Sequence, residues 1–496
     1  MLYRDQRSTD VRAHVARYLP SELMTRPLLA VVLAGVLLGS TTTARAQVGN
    51  APTAPTTLAL DQALQYALDH YPTIRAALEQ VNAANANLSV ARSASLPRFD
   101  SVWQTNRATA NNIFGQLLPQ SVIPSISGPV LPSPSSQSVW GSAVGGLLSW
   151  EPADFGLRNA TVREADAGVA RALADAGLTR LAVQQAVGVA FLGVVSAQQA
   201  LAAAEADVQR RQVLARTAHT LADNQLRPGA EASRADAELA AARTRAIQGR
   251  QGVSVAQATL DRMLGAASGP VTVNTARLLD GAVPPAPPAT APAAPHPLVR
   301  SEQAAVDLAR ARETVLAKTD RPRLYLQTSI SARGSGATPD GLFDGGADGL
   351  GLERANWAAG VQVVFPNPFD FASLRARRAA AGALTRAEAA RYDEAILTVT
   401  SQQRSAAAVV DATLAIAANT PIQLEAAKQS EAQARARYDA GLAGLIEVAE
   451  AQNLLASAEY QDAAARIDVW RALLANAVAQ GSLASFIDLL RAPGVQ

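Results

Sequence analysis

The chain repeats itself once. At an offset of 225 positions, Pro72 falls on Pro297, Arg75 on Arg300, Val81 on Val306, Ala84 on Ala309 and Pro97-Arg98 on Pro322-Arg323. Further on the offset is 216, placing Pro152 on Pro368, Phe155 on Phe371, Leu226 on Leu442, Ala235 on Ala451, Leu239 on Leu455 and Gly265 on Gly481. A period this long exceeds any solenoid unit, so it marks a duplicated domain. The change of offset falls between matched stretches, where a loop tolerates insertion. Two similar halves in one chain point toward a barrel or pore.

Each copy runs through the same change of hydrophobic period. In the first, Leu60, Ala63, Leu64, Ala67 and Leu68, then Ile74, Leu78 and Val81, recur at helical spacing from 58 to 95, with Pro72 placed to begin a new helix. Pro97 and its twin Pro322 end this helical stretch, and period-two segments follow: 99–112 and 138–150 in copy one, 323–332 and 356–365 in copy two. Trp140, Val144, Leu148 and Trp150 share one face of the second segment, and Trp357, Ala359, Val361, Val363 and Phe365 one face of the fourth. Four strands of about ten residues with aromatic ends fit tilted membrane strands; two hairpins of a soluble sheet fit the same pattern. The connections 112–137, rich in Pro and Ser, and 332–353, rich in Gly and Asp, suit outer-surface loops.

Helical sequence then returns for very long runs: 157–223 and 231–264, repeated as 371–440 and 445–479 with Pro421 as the one proline exception. A helix of roughly 65 residues extends on the order of 100 Å, which requires a coiled-coil partner or a place in the wall of a helical tube. The apolar fraction of 49% is carried by Ala more than by bulky residues, and aromatics reach only 4%, as close-packed helices allow. The domain reading is thus repeat 1 over 47–282, a Pro-rich semi-rigid linker over 283–297, and repeat 2 over 298–490.

The N-terminus carries an export address. Met24-Thr25-Arg26-Pro27 precedes the apolar run 28–38, and Ala44-Arg45-Ala46 has the form of a signal peptidase site, so residues 1–46 read as a signal peptide with Met24 as a candidate start. Its removal takes six arginines and three acids from totals of 44 and 42, leaving a formal net charge of −1 and no ground for a nucleic-acid partner. With no cysteine the chain is not a bacterial lipoprotein and has no thiol chemistry. His70, His219 and His296 are isolated in sequence, and Met263 is the one methionine beyond the leader. The expectation is therefore no metal, no cofactor and no enzyme active site, with His70 and His296 capping or packing beside the paired prolines.

Helix, strand pair and two long helices, twice over, in an exported chain resembles the outer-membrane efflux protein family, the TolC-like channels. Three motifs carry the resemblance. Leu96-Pro97-Arg98-Phe99 and Arg321-Pro322-Arg323-Leu324 close matched helices; residues 365–371 resemble the entry into the family's long helix; and Arg437-Tyr438-Asp439-Ala440-Gly441-Leu442, with Glu447-Val448, looks like its aromatic-x-x-Gly turn and helix restart. The resemblance implies a mixed α/β membrane protein: long α-helical hairpins forming a periplasmic tube below a twelve-strand β-barrel, closed by a homotrimer with four strands per protomer. It implies a channel in outer-membrane lipid of a Gram-negative bacterium, extending into the periplasm and docking on a membrane-fusion adaptor and an inner-membrane RND or ABC-type pump. The function would be passive exit for tripartite efflux or type I secretion. A periplasmic or surface coiled-coil scaffold without channel activity is the alternative from another class.

The resemblance also places a gate at the periplasmic tip. The turns there are marked by Gly229, Gly441 and Gly444, and Glu447 and Glu450, three apart on one helical face, would form carboxylate rings in a trimer. Glu231 and Arg234 stand opposite them in copy one, with an Arg234–Glu450 contact between neighbouring hairpins expected. Ala443 and Gly444 occupy the place of the family's basic gate-holding residue, so a closed-state lock would be built otherwise, with Arg435 or Arg437.

Overall fold

The computed structural model describes residues 57–112, 116–125, 128, 130, 133–265, 271–279, 284, 295–337, 347–366 and 369–491. The expected signal peptide and most of the expected 283–297 linker lie outside the described residues. The described residues belong to the compact unit that begins at Pro52.

The opening helical stretch is two helices, α1 (Leu60–His70) and α2 (Pro72–Ser93), divided at Tyr71. Proline fits the first helical position because its missing N–H would have no intrahelical partner there. Leu60, Ala63, Leu64 and Ala67 are the buried stripe of α1. A two-residue strand β1 (Thr57–Leu58) precedes them and pairs in parallel with β4 (Thr272–Val273).

Four longer strands form the main sheet: β2 (Arg98–Thr109), β3 (Ser138–Ala153), β5 (Arg323–Ser335) and β6 (Arg354–Val364). Their order is β2-β3-β5-β6 with every neighbouring pair antiparallel, so each copy contributes one hairpin and β3–β5 joins the copies. The expected first strand is too long at its end: the ladder stops at Thr109, and Asn112 bridges Val130 instead. β3 outlasts its expected end through an irregularity between Trp150 and Ala153, where a bulge adds residues without losing the partner strand.

Register puts the large exposed apolar side chains on one face. Phe99, Trp103, Leu148, Trp150, Leu326, Ile330, Trp357, Val361 and Val363 share one face and are exposed. The opposite face carries Asp100, Gln104, Asn106, Gln327, Ser329, Ser331, Arg333, Arg354, Asn356 and Gln362. β2 and β6 each have one unpaired edge within the chain.

From the same end of the sheet as α2 run the long helices α3 (Leu157–Asp223) and α4 (Gly229–Leu264) in copy one. The second copy supplies α6 (Pro297–Leu316), α7 (Phe371–Asp439) and α8 (Leu445–Ala479), and the short helices α5 (Ala276–Leu279) and α9 (Ala484–Arg491) complete the chain. α4 begins two residues before its expected start because Pro228, extended at φ −65° and ψ 139°, already serves as N-cap. α3 packs on α4, α7 on α8, and α3 also on α8, while α6 touches both α3 and α7.

The main core lies where the middle of α3 meets α1, the end of α4, α5, α8 and α9. Leu181, Val187, Phe191, Leu192, Val194 and Val195 of α3 pack there with Leu260, Leu264, Ile467, Trp470, Leu474 and Phe486. An apolar stretch of α3 is thus consumed by packing within the chain. Several apolar residues of α7 are not: Leu384, Leu397, Ile416 and Ile422 are all more than half exposed.

Candidate functional site at the helical turns

Both hairpins turn at equivalent residues. In copy one Leu226 N donates to Leu221 O (2.9 Å) and Gln225 N to Ala222 O (2.9 Å); in copy two Leu442 N donates to Arg437 O (2.8 Å) and Gly441 N to Tyr438 O (2.9 Å). These paired bonds are the Schellman closure, which needs a left-handed residue just past the helix. Gly441 supplies it at φ 76°, whereas Gln225 adopts it at φ 57° with a side chain attached. Each following helix starts on a backbone cap, Glu231 N to Pro228 O (3.0 Å) and Glu447 N to Gly444 O (3.2 Å). Gly229 is therefore the first residue of α4, and Gly444 is the N-cap of α8.

A small apolar core holds the two turns together: Ala215 and Ala218 of α3, Ala235 and Leu239 of α4, Tyr438 of α7, and Leu445 and Val448 of α8. Above it sits Arg227. Its guanidinium donates to the backbone oxygen of Ala443 (Nη2–O 3.1 Å), lies 5.2 Å from the centre of the Tyr438 ring and approaches Glu231 (Nη1–Oε1 3.8 Å). The hydrogen bond and the cation–π contact tie the first turn to the second, while the ion pair holds Arg227 against its own helix start. Tyr438 is only 2% exposed, and burial, followed by the negative charge of Glu231, pushes its phenol above the usual tyrosine range. It stays neutral.

The acids named from sequence divide. Glu447 pairs with Arg437 (Oε1–Nη1 3.0 Å), the second of the two arginines expected to build a lock, and Glu231 faces Arg227 and Tyr438. Among the described residues no ion pair within the chain joins Arg234 to Glu450; Arg234 is exposed. Sequence reading missed Arg227. The signal was present, because the 216-residue offset sets Arg227 opposite Ala443, the position vacant of a basic residue, and the structure brings that guanidinium to Ala443 itself.

A second polar cluster was also missed. About 20 Å along α3 from the turn, at 1.5 Å per residue, Arg211 is 1% exposed. Its Nε meets both Asp207 oxygens (3.0 Å each), Nη1 meets Glu238 of α4 (2.8 Å) and Nη2 meets Asn453 of α8 (2.6 Å). Arg245 adds a contact to Asp207 (2.9 Å), and Arg210 grips Glu459 of α8 at 3.0 and 2.8 Å. Every charge in the cluster is opposed, as burial demands. An acid and an arginine four apart in an Ala-rich helix was the clue.

His70, His219 and His296 each make contacts within the fold. His296 is the N-cap of α6, accepting from Leu298 N at Nδ1 (3.1 Å) and donating from Nε2 to Val478 O (3.1 Å). His70 stacks on Tyr66, and His219 meets Asp236 at 2.9 Å across α3 and α4.

Comparison with known proteins agrees with this architecture. A family model described as outer membrane efflux protein matches residues 63–266 and 293–479. Among solved structures, the outer membrane protein VceC of Vibrio cholerae is similar at 17% identity over 85% of this chain and 96% of its own, with a TM-score of 0.65. The CmeC outer membrane channel of Campylobacter jejuni is similar at 16% identity, 87% and 89% coverage and a TM-score of 0.66. The open state of the MtrE outer membrane channel of Neisseria gonorrhoeae gives 17% identity, 85% and 89% coverage and a TM-score of 0.63. No curated protein sequence matches the chain.

Proposed function

The chain belongs to the outer membrane efflux protein family, and from that premise we propose that three copies form a passive exit duct across the outer membrane, gated at the helical turns. The observation that carries this reading is the main sheet, apolar on one face, polar on the other and unpaired at both edges. Unpaired strand edges are prohibitive in lipid, whereas a closed ring satisfies every backbone group. Three four-stranded sheets closed edge to edge make a barrel of twelve strands, apolar toward lipid and polar toward the lumen. The exposed apolar residues of α7 are then covered by the neighbouring protomer, and the helices continue the barrel as a periplasmic tube.

In this duct the turns carrying Gly229, Gly441 and Gly444 meet a periplasmic adaptor, with an energised RND or ABC-type pump behind it. The bonds from Arg227 to Ala443 and Tyr438 hold the closed state, and the Arg437–Glu447 pair braces the second turn. Carboxylates at Glu447 and Glu450, repeated three times, favour cations at the constriction. Arg234 reaches Glu450 of a neighbouring protomer. Opening loosens the ties between hairpins while each hairpin keeps its own packing.

Arg227→Ala, which removes the guanidinium from the turn, is expected to raise channel conductance in planar bilayers and the entry of bulky antibiotics into cells. Unchanged conductance and antibiotic resistance would remove Arg227 from the gate. Charge reversal at Arg234 tests the contact with Glu450 in the same assay, with no change as the contrary result. Crosslinking from thiols introduced near Gly229 and Gly444 identifies the adaptor, and the pump recovered with it names the transport class.

A further inference from the structure

The connection between β2 and β3 was expected to be an outer-surface loop. Part of it, residues 116–125, instead lies against the polar face of the main sheet. Asn106 Nδ2 donates to Gln116 O (2.8 Å) and Leu118 N donates to Gln104 Oε1 (3.2 Å); both side chains belong to that face. Val122 and Ile123 are buried, at 9% and 4% exposure, in an apolar patch with Ala143, Val102, Leu117 and Leu147. The three strand residues of this patch, Val102, Ala143 and Leu147, again share the polar face by register.

The fit is specific. A Cβ added at Gly145 would meet Ile123 Cγ1 at 2.7 Å, so the missing side chain of Gly145 is the socket for Ile123. Gln120 folds the segment into a compact knuckle: its Oε1 accepts from Val122 N (2.6 Å) and Ile123 N (2.7 Å), and its Nε2 donates to Ile123 O (2.6 Å). Val102, Ala143 and Leu147 are apolar residues in the middle of a mainly polar face, and the segment is what covers them. A free outer loop would leave them in water and would have no use for the Gly145 socket.

We propose that residues 116–125 form a second constriction of the duct, seated inside the barrel at about the middle of β3 and separate from the gate at the helical turns. This rests on reading the sheet as part of a membrane barrel whose polar face is the lumen. With three-fold symmetry, three such knuckles project from the wall at one level. The segment holds no Lys, Arg, Asp or Glu, so its own effect on passage is steric.

Because the chain has no cysteine, an introduced thiol is the only one present. Ile123→Cys combined with Gly145→Cys places two Cβ atoms within disulfide reach, given the 2.7 Å approach. Mild oxidation is expected to close an intrachain disulfide in the assembled outer-membrane protein. Failure to form it would overturn the proposal. Passage is tested with Val364→Cys, whose position on the lumen face lies roughly 26 Å closer to the helices than the socket row by strand rise. Whole cells are labelled from outside with a small thiol reagent and with a bulky polymer-linked maleimide. Ile123→Asp, and separately replacement of 116–125 by a short Gly-Ser bridge, are expected to raise bulky labelling several-fold relative to small labelling. An unchanged ratio in both variants would overturn the constriction. If neither reagent reached the Val364→Cys thiol in any background, the duct reading itself would fail, and the disulfide result would then describe a loop on a sheet of another kind.

Discussion

Gln225 and Gly441 are equivalent residues in equivalent turns, yet one has a side chain in a left-handed conformation that disfavours it by about 1 kcal/mol. Gln225→Gly is expected to slow amide exchange across the first turn, leaving conductance unchanged; faster exchange would show that the Gln side chain contributes more than its backbone costs. His296 offers a test by pH. Its cap requires a neutral ring, since Nδ1 accepts while Nε2 donates, and burial, opposed by the hydrogen bond to Val478 and reinforced by the charge of Arg300, leaves its pKa below 6.5. A lowered folded value means that the unfolded chain binds the proton more readily. The stabilisation is therefore full above 6.5 and lost as pH falls toward the folded value. Thermal midpoints measured from about pH 7.5 down to about pH 5 should fall more steeply for wild type than for His296→Asn, which keeps a capping acceptor without titrating. Equal slopes would contradict the assignment.

At the scale of elements, the two long hairpins share a backbone and differ in what they bury. The ion pair Asp207–Arg245 of copy one becomes the amide pair Gln423–Gln461 of copy two (Nε2–Oε1 2.9 Å), and Arg211 becomes Ala427. Removing one member of a buried charge cluster leaves the others unopposed, at a cost of about 3–5 kcal/mol. Arg211→Leu should lower the apparent melting temperature of the solubilised protein sharply. Replacing Asp207, Arg211, Glu238 and Arg245 together with their copy-two counterparts, Gln, Ala, Leu and Gln, should recover much of the loss. If the fourfold variant melts no higher than the single one, the cluster's partners do not act as a unit. Most of the elements were legible in sequence because period, proline position and duplication all act locally. Charge contacts between hairpins were not, because Arg211 finds Asn453 and Arg227 finds Ala443 only after α3 and α8 have been brought side by side. The contact of the β2–β3 connection with the sheet was not legible for a related reason: the socket at Gly145 exists only once β3 is in register with its neighbours.

For the whole molecule, the unpaired edges of β2 and β6 and the exposed apolar residues of α7 have one common remedy, which is more copies of the same chain, while the exposed apolar face of the sheet is left for lipid. A monomer would leave both the edges and α7 uncovered. The scaffold alternative requires none of them to be covered in a membrane. The most direct test of the account is the mass of the protein extracted in mild detergent from the outer-membrane fraction, together with its mobility in SDS before and after heating. The account predicts three chain masses and a compact species that slows or dissociates only on heating. A monomer or dimer, or a protein absent from that fraction, would contradict it.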